Sequence, residues 1–323
     1  MKRILITGAD GFLGRSLVRL LSVSGLCELL IAQDVREVPA QARLPGVVYG
    51  RADVRDPNLR LTLMAQRIDT VVHLASIVTP GRHSSRALEY SVDVQGSRNV
   101  LEACVAARVE HLLVSSSGAA YGYHADNPAW IDENQPLRGN ASFAYSDHKR
   151  QVEEMLSEFR ETQAQLRQTV FRIGTILGSS VDNQITALFE KPRIIAIRGS
   201  ASPFVFVWDE DVSAAFVHAV QSGRGGVFNL VGDGALGVRE LAALLGKPVR
   251  ELPPTLLRTA LWAGSRLGLS RYGAEQLDFL RYRPVLLNTR LKTELGFVPR
   301  KSSREAFEAF VAAREHAGKR VRA

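Results

Sequence analysis

The sequence predicts an α/β protein built on a doubly wound parallel sheet, with a second, smaller lobe in its C-terminal part. Two observations lead to this fold class. Short apolar runs alternate with amphipathic helical patterns as far as residue 173, whereas after Arg172 prolines interrupt shorter elements that follow no regular order. Strands that alternate with helices pair in parallel through right-handed crossovers, so helices should cover both faces of the sheet.

Each element of the first part is defined by its apolar pattern. Buried parallel strands are short continuous apolar runs, and the covering helices repeat apolar residues every three to four positions. Residues 1–174 are expected to form the first domain. Residues 175–323 are expected to form mainly the second lobe, with a segment at about 204–230 returning to the first domain. The predicted strands are 4–6, 28–32, 47–49, 70–74, 111–114 and 169–173, and the predicted helices are 13–21, 59–67, 87–107 and 145–165.

A glycine-rich turn joins the first strand to the first helix. Gly8, Gly11 and Gly14 are spaced three apart at this junction. Glycines in such a place let the backbone N–H groups of a helix N-terminus approach a pyrophosphate closely. A simple tight turn is the alternative, but Asp34 follows about twenty residues after the turn, as it does in dinucleotide sites of the Rossmann type. The sequence therefore predicts that the first domain binds a dinucleotide.

Asp34 ends the second strand and bears on the choice of cofactor. A carboxylate there can accept hydrogen bonds from both hydroxyls of an adenosine ribose, and it repels a 2′-phosphate, which favours NAD. Arg36 keeps NADP open, because a guanidinium two residues later can pair with the additional phosphate. A turn aspartate without a ligand is the alternative for Asp34. Asp53 and Val54 follow the third strand, where the carboxylate can accept from the adenine amino group or simply form a turn.

Hydroxyl groups gather at the end of the fifth predicted strand. Ser115 and Ser117 close that strand, and open α/β sheets place their sites at the carboxyl ends of strands. Tyr145 and Lys149 lie four residues apart in the next helical pattern, so they share one face of that helix. Of the seven tyrosines, only Tyr145 has a lysine four positions later.

These residue types suit hydride transfer at a secondary alcohol or ketone. A phenol with a pKa of about 10 is a poor base at neutral pH, but a nearby ammonium and a cationic nicotinamide ring stabilise the phenolate. In this hypothesis Tyr145 exchanges the proton, Lys149 tunes it, and Ser117 orients the substrate oxygen. The spacing leaves open whether the outcome is net oxidation and reduction or the oxidise-and-reduce cycle of an epimerase.

Composition narrows the partners and the compartment. The formal net charge is +8, but the basic residues are scattered, apart from a run from Arg314 to Arg322 that includes Lys319 and Arg320, so no nucleic-acid partner is expected. No long charge-free apolar run predicts a membrane span, and Met1 to Arg3 leads directly into a strand. Cys27 and Cys104 fit buried thiols in a reducing compartment, and a cytoplasmic location is expected.

Other site chemistries find no support in the sequence. The histidines show no metal-ligand spacing with the acids or cysteines, so no metal is expected. No Gly-x-Ser-x-Gly motif is present to hold a hydrolase serine. The apolar segment 256–264 fits a packed helix, a lid, a dimer face or a patch that touches a membrane.

Taken together, these motifs resemble the extended short-chain dehydrogenases/reductases, which include the NAD-dependent sugar-nucleotide epimerases and dehydratases. The resemblance covers nearly the whole chain. It implies that Phe12 and Leu13 face the pyrophosphate, and that Leu74 and Ala75 line the nicotinamide side. A small-molecule substrate and a homodimer are expected. The matching motifs are residues 7–14, 53–54, 73–75, 99–103, 115–117, Tyr145 with Lys149, Arg172, 211–212, 228–230 and 294–300.

The departures from the family pattern fall on the substrate side. The arginine that sugar-nucleotide enzymes use for the diphosphate is replaced by Phe204, with Phe206 and Trp208 nearby. We therefore expect a substrate with an apolar or weakly charged body, unless Arg193, Arg198 or another basic residue supplies the missing cation. Ser117 is followed by small residues rather than acids, which disfavours dehydration. The remaining departures are Asp93, Ala144 and Thr175.

The sequence thus predicts an NAD-dependent oxidoreductase or epimerase. One alternative is a nucleotide-sugar 4-epimerase proper. An alternative of another class is a dinucleotide-binding sensor that has lost catalysis, and the complete set of Ser117, Tyr145 and Lys149 argues against it.

Overall fold

The fold is taken from a computed structural model, in which residues 1–78, 81, 84–183, 185–266, 273, 276–316 and 318 are described. Lys319, Arg320 and Arg322 of the predicted basic run lie outside these residues. The strands are β1 (Lys2–Thr7), β2 (Cys27–Asp34), β3 (Val47–Arg51), β4 (Thr70–His73), β5 (His111–Ser117), β6 (Arg167–Ile173), β7 (Thr175–Leu177), β8 (Ile194–Ile197), β9 (Phe206–Trp208), β10 (Gly226–Leu230) and β11 (Val249–Leu252). The helices are α1 (Phe12–Val23), α2 (Leu59–Ala65), α3 (Arg86–Tyr90), α4 (Gly96–Ala106), α5 (Ala144–Thr162), α6 (Thr186–Phe189), α7 (Asp209–Ser222), α8 (Val238–Leu244), α9 (Pro254–Arg266), α10 (Gln276–Arg281) and α11 (Ser303–His316).

Seven parallel strands form the central sheet, in the order β10-β6-β5-β4-β1-β2-β3. β1 lies inside the sheet between β4 and β2, where Leu5 is in register with Ile31 of β2 and Val71 of β4. The chain winds outward from β1 in both directions. α-Helices connect β1 to β2 and link the successive strands from β3 to β6, whereas β2 and β3 are joined by a loop with a short 3₁₀ turn, Ala40–Ala42. The predicted doubly wound, Rossmann-type sheet is therefore confirmed.

The sheet is buried on both faces, because alternate residues of each strand enter different cores. Ile4 and Ile6 pack with Leu17 of α1 and Phe216 of α7 on one face. Leu5 packs on the other face with side chains of α2, α4 and α5. A fully buried Leu or Ile contributes about 1.5–3 kcal/mol, so this layering supplies much of the stability.

The predicted helix 87–107 is divided in the structure. A π-helical turn, Ser91–Gln95, separates α3 from α4 and buries Asp93 and Val94. The prediction of one continuous helix is wrong here, because one extra residue in a turn hardly changes the apolar period from which the helix was inferred.

The chain leaves the central sheet after β6 and later returns to it. β7 pairs with β9 and β8 pairs with β11, each pair forming a small parallel sheet of its own. α7 then packs against α1, and β10 completes the central sheet beside β6, with Phe228 in register with Phe171. The division into two domains at residue 174 stays a prediction.

A second core of aromatic rings lies under α11. Phe189 contacts Phe204, Phe206, Phe307 and Phe310, with ring centroids 5.1 to 6.3 Å apart. Edge and tilted contacts of this kind add to the free energy of burial. This cluster holds α6, β9 and α11 together.

The structure also bears on the composition arguments. Among the described residues, no helix is long and apolar enough to cross a lipid bilayer. Cys104 is buried, as predicted, whereas Cys27 is only half-buried, and both are free thiols. Burial raises the pKa of both thiols, so neither is an activated nucleophile. The described part of the chain contains no cluster of His, Cys, Asp and Glu suited to a metal ion.

Candidate active site

The glycine turn brings β1, α1 and the end of β4 into close contact. Gly8 has a φ of +70°, and a Cβ atom there would lie 2.7 Å from the amide nitrogen of Ala75. Gly14 is packed equally closely, since a side chain would overlap the backbone of Gly8 and Ala9. Leu74 donates its amide to the carbonyl of Thr7 at 3.1 Å. The turn therefore lies directly beside Leu74 and Ala75, and their expected place on the nicotinamide side stays a prediction.

The N-terminus of α1 is free to meet an anion. Gly11 occupies the position before the helix, so it supplies no side-chain cap, and the first turn contains no acidic residue. Phe12 is 44% exposed and Leu13 is half-buried. The first N–H groups of a helix lack partners within the helix and carry partial positive charge, which suits a phosphate.

Asp34 ends β2 with its carboxylate buried and held by three donors. Oδ2 accepts from the Asp10 amide at 3.0 Å, and Oδ1 accepts from the Arg36 amide at 3.0 Å and from Arg36 Nε at 3.3 Å. The Arg36 guanidinium also donates to the carbonyl of Asp10 at 2.8 Å. Asp34, which favours NAD, and Arg36, which keeps NADP open, thus form one ion pair.

Asp53 and Val54 lie in the turn after β3. Arg55 donates to both carboxylate oxygens of Asp53, at 2.9 and 2.6 Å, and this hydrogen bonding lowers the pKa of Asp53. The carbonyl of Val54 accepts from Asn99 Nδ2 at 2.7 Å. These contacts give both residues a role in the turn itself, and a contact with adenine stays a prediction.

The end of β5 meets the start of α5. Ser146 Oγ donates to the carbonyl of Ala119 at 2.6 Å, which ties the first turn of α5 to the short 3₁₀ turn Gly118–Tyr121. Ser117 precedes that turn, and its Oγ accepts from the Ala119 amide at 3.1 Å. The hydroxyl hydrogen of Ser117 is therefore available to another acceptor.

Lys149 is buried below Tyr145 on the same face of α5. Its Nζ donates to the carbonyl of Ser115 at 2.9 Å and lies 5.7 Å from the centroid of the Tyr145 ring. The predicted spacing of four residues thus places an ammonium next to the phenol. The structure brings Ser115, Lys149 and Tyr145 together at the carboxyl edge of the sheet.

His73 is buried under this arrangement and cannot serve as an acid or base. Its ring nitrogens lie 2.7 Å from Thr7 Oγ1 and 2.9 Å from Ser97 Oγ. Burial, together with the nearby charge of Lys149, lowers the pKa of His73 to about 3. His73 is neutral at physiological pH and has a structural role.

An ion pair buried beneath the serines was not identified from the sequence. Arg172 Nη2 lies 2.7 Å from Glu153 Oε2, and Nη1 donates to the Tyr121 hydroxyl at 2.7 Å. Glu153 also accepts from Ser116 Oγ. The sequence feature that could have indicated this ion pair is Glu153, because it lies one helical turn after Lys149 on the same face of α5.

The aromatic residues near the expected substrate side all lie in the second core, and Phe204 is only 4% exposed. Phe206 is fully buried against Phe307, and Trp208 is 8% exposed, so both belong to the second core rather than to a substrate surface. The expectation that these two rings face the substrate is wrong, because β9 is enclosed by the neighbouring elements. Arg193 and Arg198 are exposed on the surface.

Arg283 packs on Phe204, the residue that replaces the arginine of the sugar-nucleotide enzymes. Its guanidinium carbon is 3.8 Å from the centroid of the Phe204 ring and 5.5 Å from that of Phe279. Nη1 donates to the carbonyl and to the hydroxyl of Ser202, at 2.9 and 2.7 Å. Burial lowers the pKa of Arg283 to about 9, which still leaves it charged at neutral pH.

Tyr123 connects this cation to the proposed proton carrier. Its ring makes edge contacts with Phe143 at 5.6 Å and Phe279 at 5.2 Å between centroids. Burial raises the pKa of Tyr123, and both Tyr145 and Arg283 are close enough to affect it. Phe143, two residues before Tyr145, stacks on the same Phe279 ring that the Arg283 guanidinium approaches, so aromatic contacts connect Arg283 to the start of α5.

The sequence model of the NAD dependent epimerase/dehydratase family matches residues 4–230. This chain belongs to that family. The matched segment begins in β1 and ends with β10, so it covers every strand of the central sheet.

Relatives of known sequence agree with this membership of the epimerase/dehydratase family. An uncharacterised protein of Mycobacterium tuberculosis is 25% identical over 317 residues, which is 96% of this chain and 83% of that protein. The UDP-glucose 4-epimerase of Neisseria meningitidis serogroup C is 29% identical over 169 residues, which is 50% of this chain and 49% of that enzyme.

Solved structures share the fold of this family member. MoeE5 in complex with UDP-glucuronic acid and NAD is 24% identical, with a TM-score of 0.73 over 98% of this chain and 99% of that one. The UDP-glucose 4-epimerase of Thermotoga maritima with UDP-glucose is 20% identical, with a TM-score of 0.73 over the same shares. At these identities the likeness shows a common fold.

The residues of this epimerase/dehydratase family member fit a dinucleotide. Gly8 and Gly14 leave no room for side chains, so the uncapped start of α1 is bordered by backbone, which suits a pyrophosphate. The Asp34 carboxylate, buried at the end of the next strand, is placed for a ribose. Leu74 and Ala75 border the same turn on its other side.

Proposed function

We propose that the chain is an NAD-dependent oxidoreductase or epimerase that acts at a secondary alcohol or ketone of an anionic small molecule. The observation that carries the catalytic part is the position of Lys149, with Nζ bound to the Ser115 carbonyl and 5.7 Å from the Tyr145 ring. The glycine turn, Asp34, Leu74 and Ala75 would hold NAD, which would supply the acceptor and donor of hydride.

Tyr145 holds and moves the proton at its hydroxyl oxygen. In oxidation, the Tyr145 phenolate takes the proton of the substrate alcohol and becomes a neutral phenol. In reduction, the phenol returns that proton to the substrate oxygen and becomes a phenolate again. The Lys149 ammonium stabilises the phenolate by charge, and the Ser115 carbonyl fixes the ammonium in place. Ser117 donates its hydroxyl hydrogen to the substrate oxygen and holds it near Tyr145.

Arg283 supports the choice of an anionic substrate. Within the described residues no carboxylate pairs with this half-buried cation, whose direct partners are the two oxygens of Ser202. Partial removal of a charge from water is costly, so a phosphate or carboxylate bound against Arg283 gains a strong charge-assisted hydrogen bond. The sequence predicts a substrate with an apolar or weakly charged body unless a basic residue supplies the missing cation. Arg283 is such a residue, and it supports a charged substrate instead.

A nucleotide-sugar 4-epimerase is the second candidate function. It is favoured by the match to the UDP-glucose 4-epimerase of Neisseria meningitidis, combined with the cation at Arg283. Turnover of a panel of UDP-, GDP- and dTDP-sugars, with carboxylates and neutral alcohols for comparison, distinguishes the two. NADH absorbance reports net redox, and NMR of the sugar reports epimer formation.

Replacing Tyr145 by Phe tests the catalytic proposal. The variant keeps the ring but loses the proton carrier, so turnover should fall about 10²-fold or more. NAD affinity, measured by calorimetry, should hardly change. Tyr49→Phe is the matched control, because Tyr49 lies on β3 and its hydroxyl accepts a structural hydrogen bond from the Leu44 amide. Wild-type turnover by Tyr145→Phe would overturn the assignment and favour the non-catalytic sensor.

We also propose a cytoplasmic location, which the two free thiols support. The homodimer expected from the sequence stays a prediction. Sedimentation of the purified chain at increasing concentration tests it, and a constant monomer mass would contradict it.

A further inference from the structure

α9 is packed unusually loosely for a helix with so many apolar residues. None of its described side chains is buried, and Leu256 and Trp262 are 56% and 54% exposed. Its sequence, from Pro254 to Arg266, contains three leucines and a tryptophan. Water is an unfavourable environment for such a surface, so something else is expected to cover it.

The outward face of α9 combines these apolar groups with cations. Arg258, Trp262 and Arg266 follow one another at intervals of four residues and therefore form a single row along the helix. The Arg266 guanidinium lies 5.5 Å from the centroid of the Trp262 ring. Leu257 and Leu261, which are half-buried, lie on the opposite side towards the body of the protein.

Acidic residues are absent from this part of the sequence. No Asp or Glu occurs between Glu251 and Glu275. Glu251 itself is paired with Arg239 and is not available to Arg258. α10, which contacts α9, carries Asp278, but α9 itself carries arginines and no carboxylate. The complement of its outward face is an anionic surface that can also accept apolar side chains.

We propose that the outward face of α9 docks on an anionic lipid bilayer. The helix, about 20 Å long, lies in the plane of the interface. Trp262 and Leu256 enter the boundary between head groups and acyl chains, where amphipathic aromatic rings are favoured. Arg258 and Arg266 bind lipid phosphates, with their aliphatic stems along the apolar boundary. This proposal is independent of the catalytic assignment.

The charges argue against two other occupants. A second copy that used the same face in a two-fold contact would bring the arginines of both copies together. A nucleic acid would satisfy the arginines but would leave Leu256 exposed to water. A bilayer with anionic lipids provides both the phosphates and the apolar phase.

Vesicle sedimentation of the full-length chain tests the proposal. We expect binding to vesicles of phosphatidylcholine with phosphatidylglycerol, and little binding to phosphatidylcholine alone. The double variant Arg258→Glu/Arg266→Glu should bind at least tenfold more weakly, because two attractive charges become repulsive. Trp262→Ala should weaken binding about tenfold. Trp130→Ala is the matched control, since Trp130 is 43% exposed outside α9.

Two results would overturn the proposal. One is equal binding of wild type and the double arginine variant to the anionic vesicles. The other is a wild-type protein that does not bind vesicles but is a dimer, and that becomes a monomer when Trp262 is replaced by Ala. That result would assign the outward face of α9 to a second copy of the chain. Unchanged NAD affinity of every variant shows that each is folded.

Discussion

At the scale of single residues, the choice between NAD and NADP depends on the ion pair that Asp34 and Arg36 form at the end of β2. Both Asp34 oxygens already accept hydrogen bonds, and Arg36 Nε supplies one of them at 3.3 Å. A ribose with free hydroxyls can still donate to the remaining lone pairs of the carboxylate. A 2′-phosphate would meet the carboxylate first and could be neutralised only if Arg36 moved.

NAD should therefore bind at least tenfold more tightly than NADP, a difference of about 1.4 kcal/mol. Arg36→Ala should widen this preference, because among the described residues its guanidinium is the cation that contacts Asp34. Calorimetric titration of both cofactors measures the ratio. Arg51→Ala provides the control, since Arg51 Nε donates to the Val35 carbonyl and not to Asp34. Equal or tighter binding of NADP by wild type would show that Arg36 dominates.

Two buried histidines should make stability depend on pH. Burial lowers the pKa of His73 to about 3 and that of His111 to about 4, whereas both rings titrate at about 6.5 in an unfolded chain. Below pH 6.5 the unfolded state therefore binds more protons than the folded state. The free energy of unfolding should fall as pH decreases from about 6.5 towards 4, by up to about 1.4 kcal/mol per pH unit for each histidine.

Urea denaturation at a series of pH values measures this dependence. His111→Asn should reduce the slope below pH 6.5, because one of the two histidines no longer takes up a proton on unfolding. An unchanged slope in this variant would mean that carboxylates alone set the pH dependence.

At the scale of elements, the Glu153–Arg172 pair holds α5 against β6. Both side chains are buried, and they join the Tyr121 hydroxyl to Ser116 at the end of β5. The pair therefore fixes the distance between the helix of Tyr145 and the strand of Ser117. Removing one partner leaves a buried charge without a counter-ion, which is more costly than removing both.

Arg172→Met should lower the free energy of unfolding by about 3–5 kcal/mol. The double variant Glu153→Met/Arg172→Met should lose distinctly less free energy of unfolding, since it leaves no buried charge without a partner. Urea denaturation of the wild type, both single variants and the double variant gives the full double-mutant cycle. The exposed pair Arg304–Glu308 is the control, and breaking it should cost less than about 1 kcal/mol. Additive losses in the buried cycle would contradict the expected coupling.

At the scale of the whole molecule, the central sheet depends on chain beyond residue 174. β10 covers the edge of β6, and Phe216 of α7 packs against Phe171 of β6 at 4.7 Å between ring centroids. A fragment of residues 1–174 would expose this face and the unpaired edge of β6. We therefore expect residues 1–174 to need the returning segment, predicted at about 204–230, to complete the first domain.

We expect the fragment 1–174 to aggregate or to lack a cooperative unfolding transition, whereas a fragment that ends at residue 231 retains the complete central sheet. Circular dichroism during thermal unfolding compares the two. A sharp transition for the shorter fragment would show that residues 1–174 are an independent domain.

The sequence was most informative where structure repeats. Alternating apolar runs were enough to predict β1 to β6, and the spacing of Tyr145 and Lys149 was enough to place them on one face. Arg283 could not be predicted, because its place against Phe204 arises from two segments about eighty residues apart, and no local period relates them. The interruption at Ser91–Gln95 was missed for the related reason that one inserted residue hardly alters a helical pattern.

The late return of β10 also has a consequence for synthesis on the ribosome. β6 ends at Ile173, and its neighbour in the sheet is not completed until Leu230 has been added. At about 5–20 residues per second, the nascent chain waits roughly 3–11 s with one side of β6 unpaired. During this interval the exposed edge is a binding site for chaperones or for a neighbouring nascent chain. Slow codons between these two strands would lengthen the exposure, and the yield of active protein is then set by translation speed as well as by stability.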